Sequence, residues 1–324
     1  MGLAKKIAVV GATGAVGRCF VELLLTRVAA DCLSLYASAR SHGTVIGISG
    51  HEFTVYDVAS TDFNNIDLVF FSAGSEVAKA HAPRAEASGA WVIDNSSAFR
   101  DTRPLVVPEI NLLAVTGPGI IANPNCTVIP LTLTLNALKA CAITSASVVT
   151  FQSVSGSGNK GIQALLKGGV SEVYGAPIAG NVIPKIDSYL DNGFTKEEMK
   201  LTTETKKILQ WDIAVAATAV RVPVMQGHSL AVHLHANKPW DMSLVRQSLK
   251  QHPGIKIVPD EDILTPKTHL EFCPGVMISR LRLEPGNDFG LLYWLVSDNL
   301  QKGAALNSVQ IAEHLGLIKE PAYV

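Results

Sequence analysis

Short unbroken apolar runs recur through the first third of the chain, at residues 7–10, 33–37, 66–71, 91–93 and 120–122. A strand that is apolar on both faces suits a parallel sheet covered by helices on each side, so these runs predict a doubly wound α/β domain. From about Ala146 the runs lengthen and alternate, at residues 146–152, 213–222, 229–236, 276–283 and 289–297. In Leu230-Ala231-Val232-His233-Leu234-His235 the period is two, which predicts a largely antiparallel sheet with unlike faces in a second, α+β domain. Leu306, Val309, Ile311 and Leu315 lie on one stripe of an amphipathic helix over residues 304–315, placed to return to the first domain. The expected division is 1–125 completed by 301–324, with 126–300 as the second domain.

At 324 residues, 48% hydrophobic and 17% charged, the chain is long enough for two such cores. A net charge of -1 leaves no basic field for nucleic acid, so an anionic ligand must be met by individually placed cations. The five cysteines are odd in number and widely spaced, without Cys-x-x-Cys or Cys/His ligand spacing. Neither a disulfide framework nor a metal site is expected from that pattern. The apolar run after Lys5-Lys6 breaks at Gly11, too early for a signal peptide, and no run is long enough to span a bilayer. The expectation is a cytoplasmic protein with no membrane partner.

Val9-Val10-Gly11-Ala12-Thr13-Gly14-Ala15-Val16-Gly17 reads as a strand, a glycine turn and a helix start. Small residues there let backbone amides at a helix terminus approach a pyrophosphate. The competing reading, a tight turn with no ligand, is weakened by the parallel-type strands that follow. Where an NAD-preferring fold ends its second strand with a carboxylate, this chain has Ser38-Ala39-Arg40-Ser41. Arg40 and Ser41 suit a 2′-phosphate, hence NADP, although a solvated surface arginine is the plainer reading of Arg40. Short-chain reductases share Gly-Ala-Thr-Gly but need Tyr-x-x-x-Lys, and none of the six tyrosines has a lysine four residues on.

Cys126 lies in Asn123-Pro124-Asn125-Cys126-Thr127, a turn ahead of an apolar helix in which Pro130 falls near the first turn. A thiol at the positive end of a helix is favoured as thiolate, the form that attacks acyl carbon. Cys19, Cys32, Cys141 and Cys273 have no comparable surroundings and read as small buried hydrophobes.

With these segments, Asp94-Asn95-Ser96-Ser97-Ala98-Phe99-Arg100, Gln152-Ser153-Val154-Ser155-Gly156, Asn181-Val182-Ile183-Pro184, Arg221-Val222-Pro223-Val224, Gly227-His228-Ser229 and Ser297-Asp298-Asn299-Leu300 stand in order along nearly the whole chain. In these segments the sequence resembles the bacterial aspartate-semialdehyde dehydrogenases. The resemblance implies a Rossmann-like nucleotide-binding domain, a catalytic and dimerisation domain, and NADPH-dependent reduction of L-aspartyl-4-phosphate to L-aspartate-4-semialdehyde. It also implies a place in lysine, diaminopimelate, threonine, methionine and isoleucine biosynthesis, and a homodimer or an association of dimers.

By the same resemblance Cys126 is the nucleophile and His228 the acid/base residue that takes the thiol proton and returns one. Arg221 clamps the substrate carboxylate, Glu197 meets its amino group, Arg100 and Lys200 meet phosphate, and Gln152 positions the intermediate. Gly11, Thr13, Gly14, Ala15, Val16, Arg40, Ser41, Ser155, Gly156 and Asn299 match cofactor contacts. The plainer reading of Glu197 and Lys200, three apart on a helix, is a solvated ion pair, and His233 and His235 read as ordinary strand residues. Ala219 and Gln301 depart from common family residues, and residues 271–287 depart more. N-acetyl-γ-glutamyl-phosphate reductase is the nearest alternative, but its typical Asn-Pro-Gly-Cys differs at Asn125. A non-catalytic nucleotide-binding relative is the alternative from another class, and it would be expected to lose the thiol or the histidine.

Overall fold

The computed structural model describes residues 5–270 and 275–321. Cys273 and part of the divergent 271–287 segment lie outside the described residues. The chain divides into two compact units: the described residues up to Pro124 together with the segment from Ala304 onward, and Asn125–Gly303.

In the first unit, β1 (Ile7–Val10) leads through the glycine turn into α1 (Ala15–Leu25), followed by β2 (Leu33–Ala37), β3 (Val45–Ile48), β4 (His51–Asp57), β5 (Leu68–Phe71), α2 (Ser75–Ala87), β6 (Trp91–Asp94), the single turn α3 (Pro108–Asn111) and β7 (Ile120–Ala122). The strands form one sheet in the order β3-β4-β2-β1-β5-β6-β7. All neighbours are parallel except the β3–β4 hairpin. Every residue of β1, β5 and β6 is buried. Phe20, Val21 and Leu24 of α1 and Val309, Ile311 and Ala312 of the terminal helix Leu306–His314 cover one face. Ala78, Ala82 and Ala85 of α2 cover the other. Two-sided burial is what the unbroken apolar runs require.

The β3–β4 hairpin was not foreshadowed by those runs. Its residues alternate between exposed and buried, and Ser49 and Gly50, both at positive φ, turn it in two residues.

The second unit opens with α4 (Val128–Ala137), then β8 (Ile143–Gln152), α5 (Gly158–Lys167), α6 (Lys196–Leu209), β9 (Ala214–Arg221), β10 (His228–Ala236), α7 (Met242–Gln251), β11 (Ile255–Ile257), the short turn α8 (Pro266–His269), β12 (Val276–Glu284) and β13 (Asn287–Ser297). The sheet order is β11-β12-β13-β10-β8-β9. The four central strands pair antiparallel and the two outer pairs are parallel. Val128 to Leu135 of α4 are all buried, and Thr134 Oγ1 lies 2.7 Å from the hydroxyl of Tyr293 on β13. A helix apolar all round has to be enclosed, and α4 packs against both α6 and α7. No helix among the described residues is long and apolar enough to cross a membrane.

Candidate active site

In the first unit, Gly11 takes φ +86° at the end of β1, a backbone position open chiefly to glycine. A Cβ on Gly17 would overlap the Gly11 carbonyl, so the missing side chain lets α1 start close against the turn. The amides of Gly11 and Ala12 donate to Tyr36 O, at 2.7 and 3.2 Å, tying the turn to the end of β2. Gly14 caps α1 without a side-chain bond and no acidic residue lies in the first turn. Thr13, Gly14, Ala15 and Val16 are part-exposed at the carboxyl end of the central strand, where the strand order reverses. That is a fitting cradle for a dinucleotide pyrophosphate. Arg40 and Ser41 form a short turn just beyond β2, with Arg40 exposed. Arg100 also belongs to this unit, where its Nη2 donates to Asn95 O at 3.0 Å. Burial pushes the neighbouring Asp94 carboxyl up, while its bonds from Ser96 and the Arg100 charge act the other way.

The remaining predicted residues come together in the second unit. Cys126 is one residue ahead of the Thr127 cap of α4. Its turn is bolted in place by Asn125, whose Oδ1 accepts from the Thr127 amide at 2.9 Å and the Thr127 hydroxyl at 2.7 Å. Asn125 in turn donates its amide to Glu204 Oε2 at 2.8 Å and its Nδ2 to Glu197 Oε1 at 2.9 Å. Both carboxylates come from α6, whose start is fixed by reciprocal bonds between Thr195 and Glu198. Gly303 lies against Cys126: a Cβ there would come within 3.0 Å of Cys126 Cβ. It sits in a π-helical turn, Gln301–Ala305, a distortion common at functional sites.

Glu197 is buried and held by three donors. Besides Asn125, its Oε1 accepts from Gln152 Nε2 at 3.1 Å and its Oε2 from Lys200 Nζ at 2.9 Å. Although burial pushes the carboxyl up, the Lys200 charge and these bonds outweigh it and lower the pKa from 4.5 to about 2. Lys200 also reaches Asp187 at 3.2 Å. The pair is therefore real but enclosed, unlike a solvated helical pair.

Gln152 and Arg221 end β8 and β9 in register with each other, and His228 begins β10. Arg221 is 4% exposed, and among the described residues no carboxylate pairs with it. Its Nη1 donates to Ser153 O at 2.5 Å, its Nε has no partner, and its guanidinium stands 5.9 Å from the Tyr174 ring centre. Burial pulls its pKa down, while Tyr174, Glu197 and Cys126 counteract that. A buried cation with an unused donor is a place for an anion.

His228 is fully buried. Burial, then the Arg221 charge, lower its pKa from 6.5 to about 3 against the opposing effects of Glu197 and the Gly227 backbone. The Ser153 amide donates to Nδ1 at 3.1 Å, so the neutral ring carries its proton on Nε2, which has no partner. Gly156 leaves space there, since a Cβ would approach Arg221 Nη1 at 3.0 Å and His228 Nε2 at 3.4 Å. Asn299 Oδ1 accepts from the Gly227 amide at 2.8 Å and the Ser153 and Ser155 hydroxyls at 3.2 Å, while its Nδ2 donates to Ser155 Oγ at 2.9 Å. Asn299 and Ser155, both 3% exposed, thus brace the loop that carries Gly156.

Ser153, Tyr174, Glu198, Glu204 and Gly303 were not singled out from the sequence. Only Ser153 and Gly303 adjoin recognisable motifs; the others are polar loop or helix residues whose importance comes from what they touch. Of the other described cysteines, Cys141 is buried and Cys19 and Cys32 are half-buried.

A doubly wound dinucleotide cradle and a thiol–histidine–arginine cluster in a mixed-sheet unit define the class as a semialdehyde dehydrogenase, and two family models agree. Residues 6–117 match "Semialdehyde dehydrogenase, NAD binding domain", and 135–302 match "Semialdehyde dehydrogenase, dimerisation domain". The aspartate-semialdehyde dehydrogenase of Legionella pneumophila is 43% identical over 95% of both chains. The crystal structure of aspartate semialdehyde dehydrogenase II from Vibrio cholerae complexed with ASA is 39% identical, covers 98% of each chain and has a TM-score of 0.90. The aspartate semialdehyde dehydrogenase structure with NADP from Candida albicans is 25% identical, covers 97% of this chain and 98% of its own, and has a TM-score of 0.77. The chain belongs to the aspartate-semialdehyde dehydrogenase family.

Proposed function

We propose that the chain catalyses the reversible, NADPH-dependent reductive dephosphorylation of L-aspartyl-4-phosphate to L-aspartate-4-semialdehyde, in the biosynthesis of lysine, threonine, methionine and isoleucine. The observation that carries this reading is the buried Arg221, without a carboxylate partner among the described residues, beside a nucleophilic cysteine and a histidine whose Nε2 has no partner among them. A substrate with its own carboxylate and an acyl group suits those donors. The relatives' names and the ASA-bound structure point the same way.

Cys126 passes its proton to the substrate phosphate and attacks the acyl carbon as the thiolate; the C–O bond to phosphate breaks, and the phosphate departs with that proton, leaving a thioester. Arg221 and the amino end of α4 favour the thiolate character needed for attack. The resemblance has His228 accept the thiol proton, but the ring already carries hydrogen on Nε2 and resists a second proton. We therefore assign its Nε2–H to the carbonyl oxygen, where negative charge gathers in each tetrahedral stage. Bound reduced nicotinamide supplies the hydride that takes the thioester carbon to the aldehyde level. As the C–S bond breaks, Cys126 leaves as thiolate and recovers a proton from solvent.

Arg221 orients the substrate carboxylate, Glu197 its ammonium group, and Arg100 and Lys200 are the phosphate cations. Gln152 acts through Glu197, and Asn299 and Ser155 act by holding the Gly156 loop. Gly11, Thr13, Gly14, Ala15 and Val16 hold the dinucleotide, and Arg40 and Ser41 its 2′-phosphate. The match to a dimerisation domain supports a homodimer.

The test is phosphate-dependent reduction of NADP by aspartate semialdehyde, run beside N-acetylglutamate semialdehyde and beside NAD. Preference for the acetylated aldehyde would overturn the substrate assignment. Equal use of NAD, unchanged by Arg40→Ala, would overturn the cofactor assignment.

A further inference from the structure

We propose that His233, His235 and Glu284 form a three-ligand site for a divalent first-row transition cation of the zinc class on the outer face of the second unit's sheet. The two histidines stand two residues apart on β10 and so point to the same face. Their rings are 4.3 Å apart between centres. Glu284 ends β12, which is separated from β10 by β13, yet its Oε2 lies 3.2 Å from His233 Nε2. One ligand atom from each of the three residues falls within 4.8 Å of every other.

The crossing over β13 depends on Gly290, which pairs with His235 in the ladder. A Cβ at Gly290 would overlap the Glu284 carboxylate, so only glycine on the intervening strand lets that side chain reach the histidines. Asn287 Nδ2 donates to Glu284 Oε2 at 2.7 Å and holds it in this pose, as an outer partner of a ligating carboxylate does. On the other flank the register neighbours of His233 and His235 are Ser147 and Ser145, whose short side chains leave room above the rings.

Two imidazoles and one carboxylate, with a further position for water, match the ligand set that zinc and its neighbours prefer. Bonds of about 2.0–2.2 Å place tetrahedral ligand atoms about 3.3 Å apart. The His233–Glu284 separation already meets that, and the remaining pairs close from separations within 4.8 Å. All three residues are part-exposed in the single chain. No ligand spacing is visible in the sequence because the carboxylate joins from a strand about fifty residues away.

The measurement is equilibrium dialysis of zinc against chelator-stripped full-length protein carrying Cys126→Ser, which removes the thiol of the candidate active site from competition. The expected result is saturable binding of one zinc per chain, weakened roughly tenfold or more by His235→Ala and by Gly290→Ala. Both variants should retain the parent's circular dichroism spectrum. Cobalt in place of zinc should give visible absorption bands that His235→Ala abolishes. No saturable zinc, or zinc held equally by a folded His235→Ala protein, overturns the proposal.

Discussion

Replacing Glu197 by glutamine keeps the shape of the side chain and removes the charge that Lys200 faces at 2.9 Å. The carboxyl titrates at about 2 in the folded protein against an ordinary 4.5. At about 1.4 kcal/mol for each pH unit, ionised Glu197 contributes about 3 kcal/mol at neutral pH. Asp187, at 3.2 Å, still partners Lys200 in the variant, so the loss should fall near or just below this figure rather than at the top of the roughly 3–5 kcal/mol range for broken buried pairs. Because the folded pKa is depressed, the contribution is complete above 4.5 and disappears as pH falls toward 2, with roughly half left near pH 3. Urea unfolding of wild type and Glu197→Gln, followed by tryptophan fluorescence from pH 7 to pH 3, reads the gap directly. Other carboxylates titrate alike in both proteins and cancel. A gap as wide at pH 3 as at pH 7 would refute the reasoning.

His228, whose folded pKa is about 3 against 6.5, resists protonation that the unfolded chain accepts. Wild type should therefore lose about 2 kcal/mol between pH 7 and pH 5 that His228→Asn does not lose; parallel declines in the same urea assay would contradict this. Gly156→Ala places a methyl 3.0 Å from Arg221 Nη1 and against the His228 ring, so kcat/KM for aspartate semialdehyde should drop roughly tenfold or more, with the unfolding midpoint nearly unchanged. Gly303→Ala crowds Cys126, and alkylation of that thiol by iodoacetamide, followed by mass spectrometry, should slow relative to wild type.

Most of the first unit's strands that sequence periodicity located are uniformly buried: β1 and β5 to β7 read as apolar runs because both of their faces are covered, whereas β2 alternates between buried and part-exposed residues. β3, β4 and β11 escaped because they are short or half-exposed and lie at or next to a sheet edge, with a register set by a turn or a neighbour. The expected domain boundary at 125/126 and the return at 301 differ from the observed units by one residue and by three. The π-helical turn explains the second difference, since it spans the junction. Cys126, Arg221 and His228 were legible because motifs surround them. The bonds that brace the segments around them were not, because Glu204 meets Asn125 across 79 positions and Asn299 meets Ser155 across 144. Nor does sequence show that Ser153 assigns the His228 tautomer, which changes the role given to that ring.

The most direct test of the central claim is to mix the protein with aspartyl phosphate in the absence of reduced nicotinamide, quench with acid, and map the modified peptide by mass spectrometry. An aspartyl thioester on Cys126, formed with release of one phosphate and absent from Cys126→Ser, is the predicted result. An aspartyl group found on another residue, or rapid phosphate release with no covalent adduct, would contradict the account.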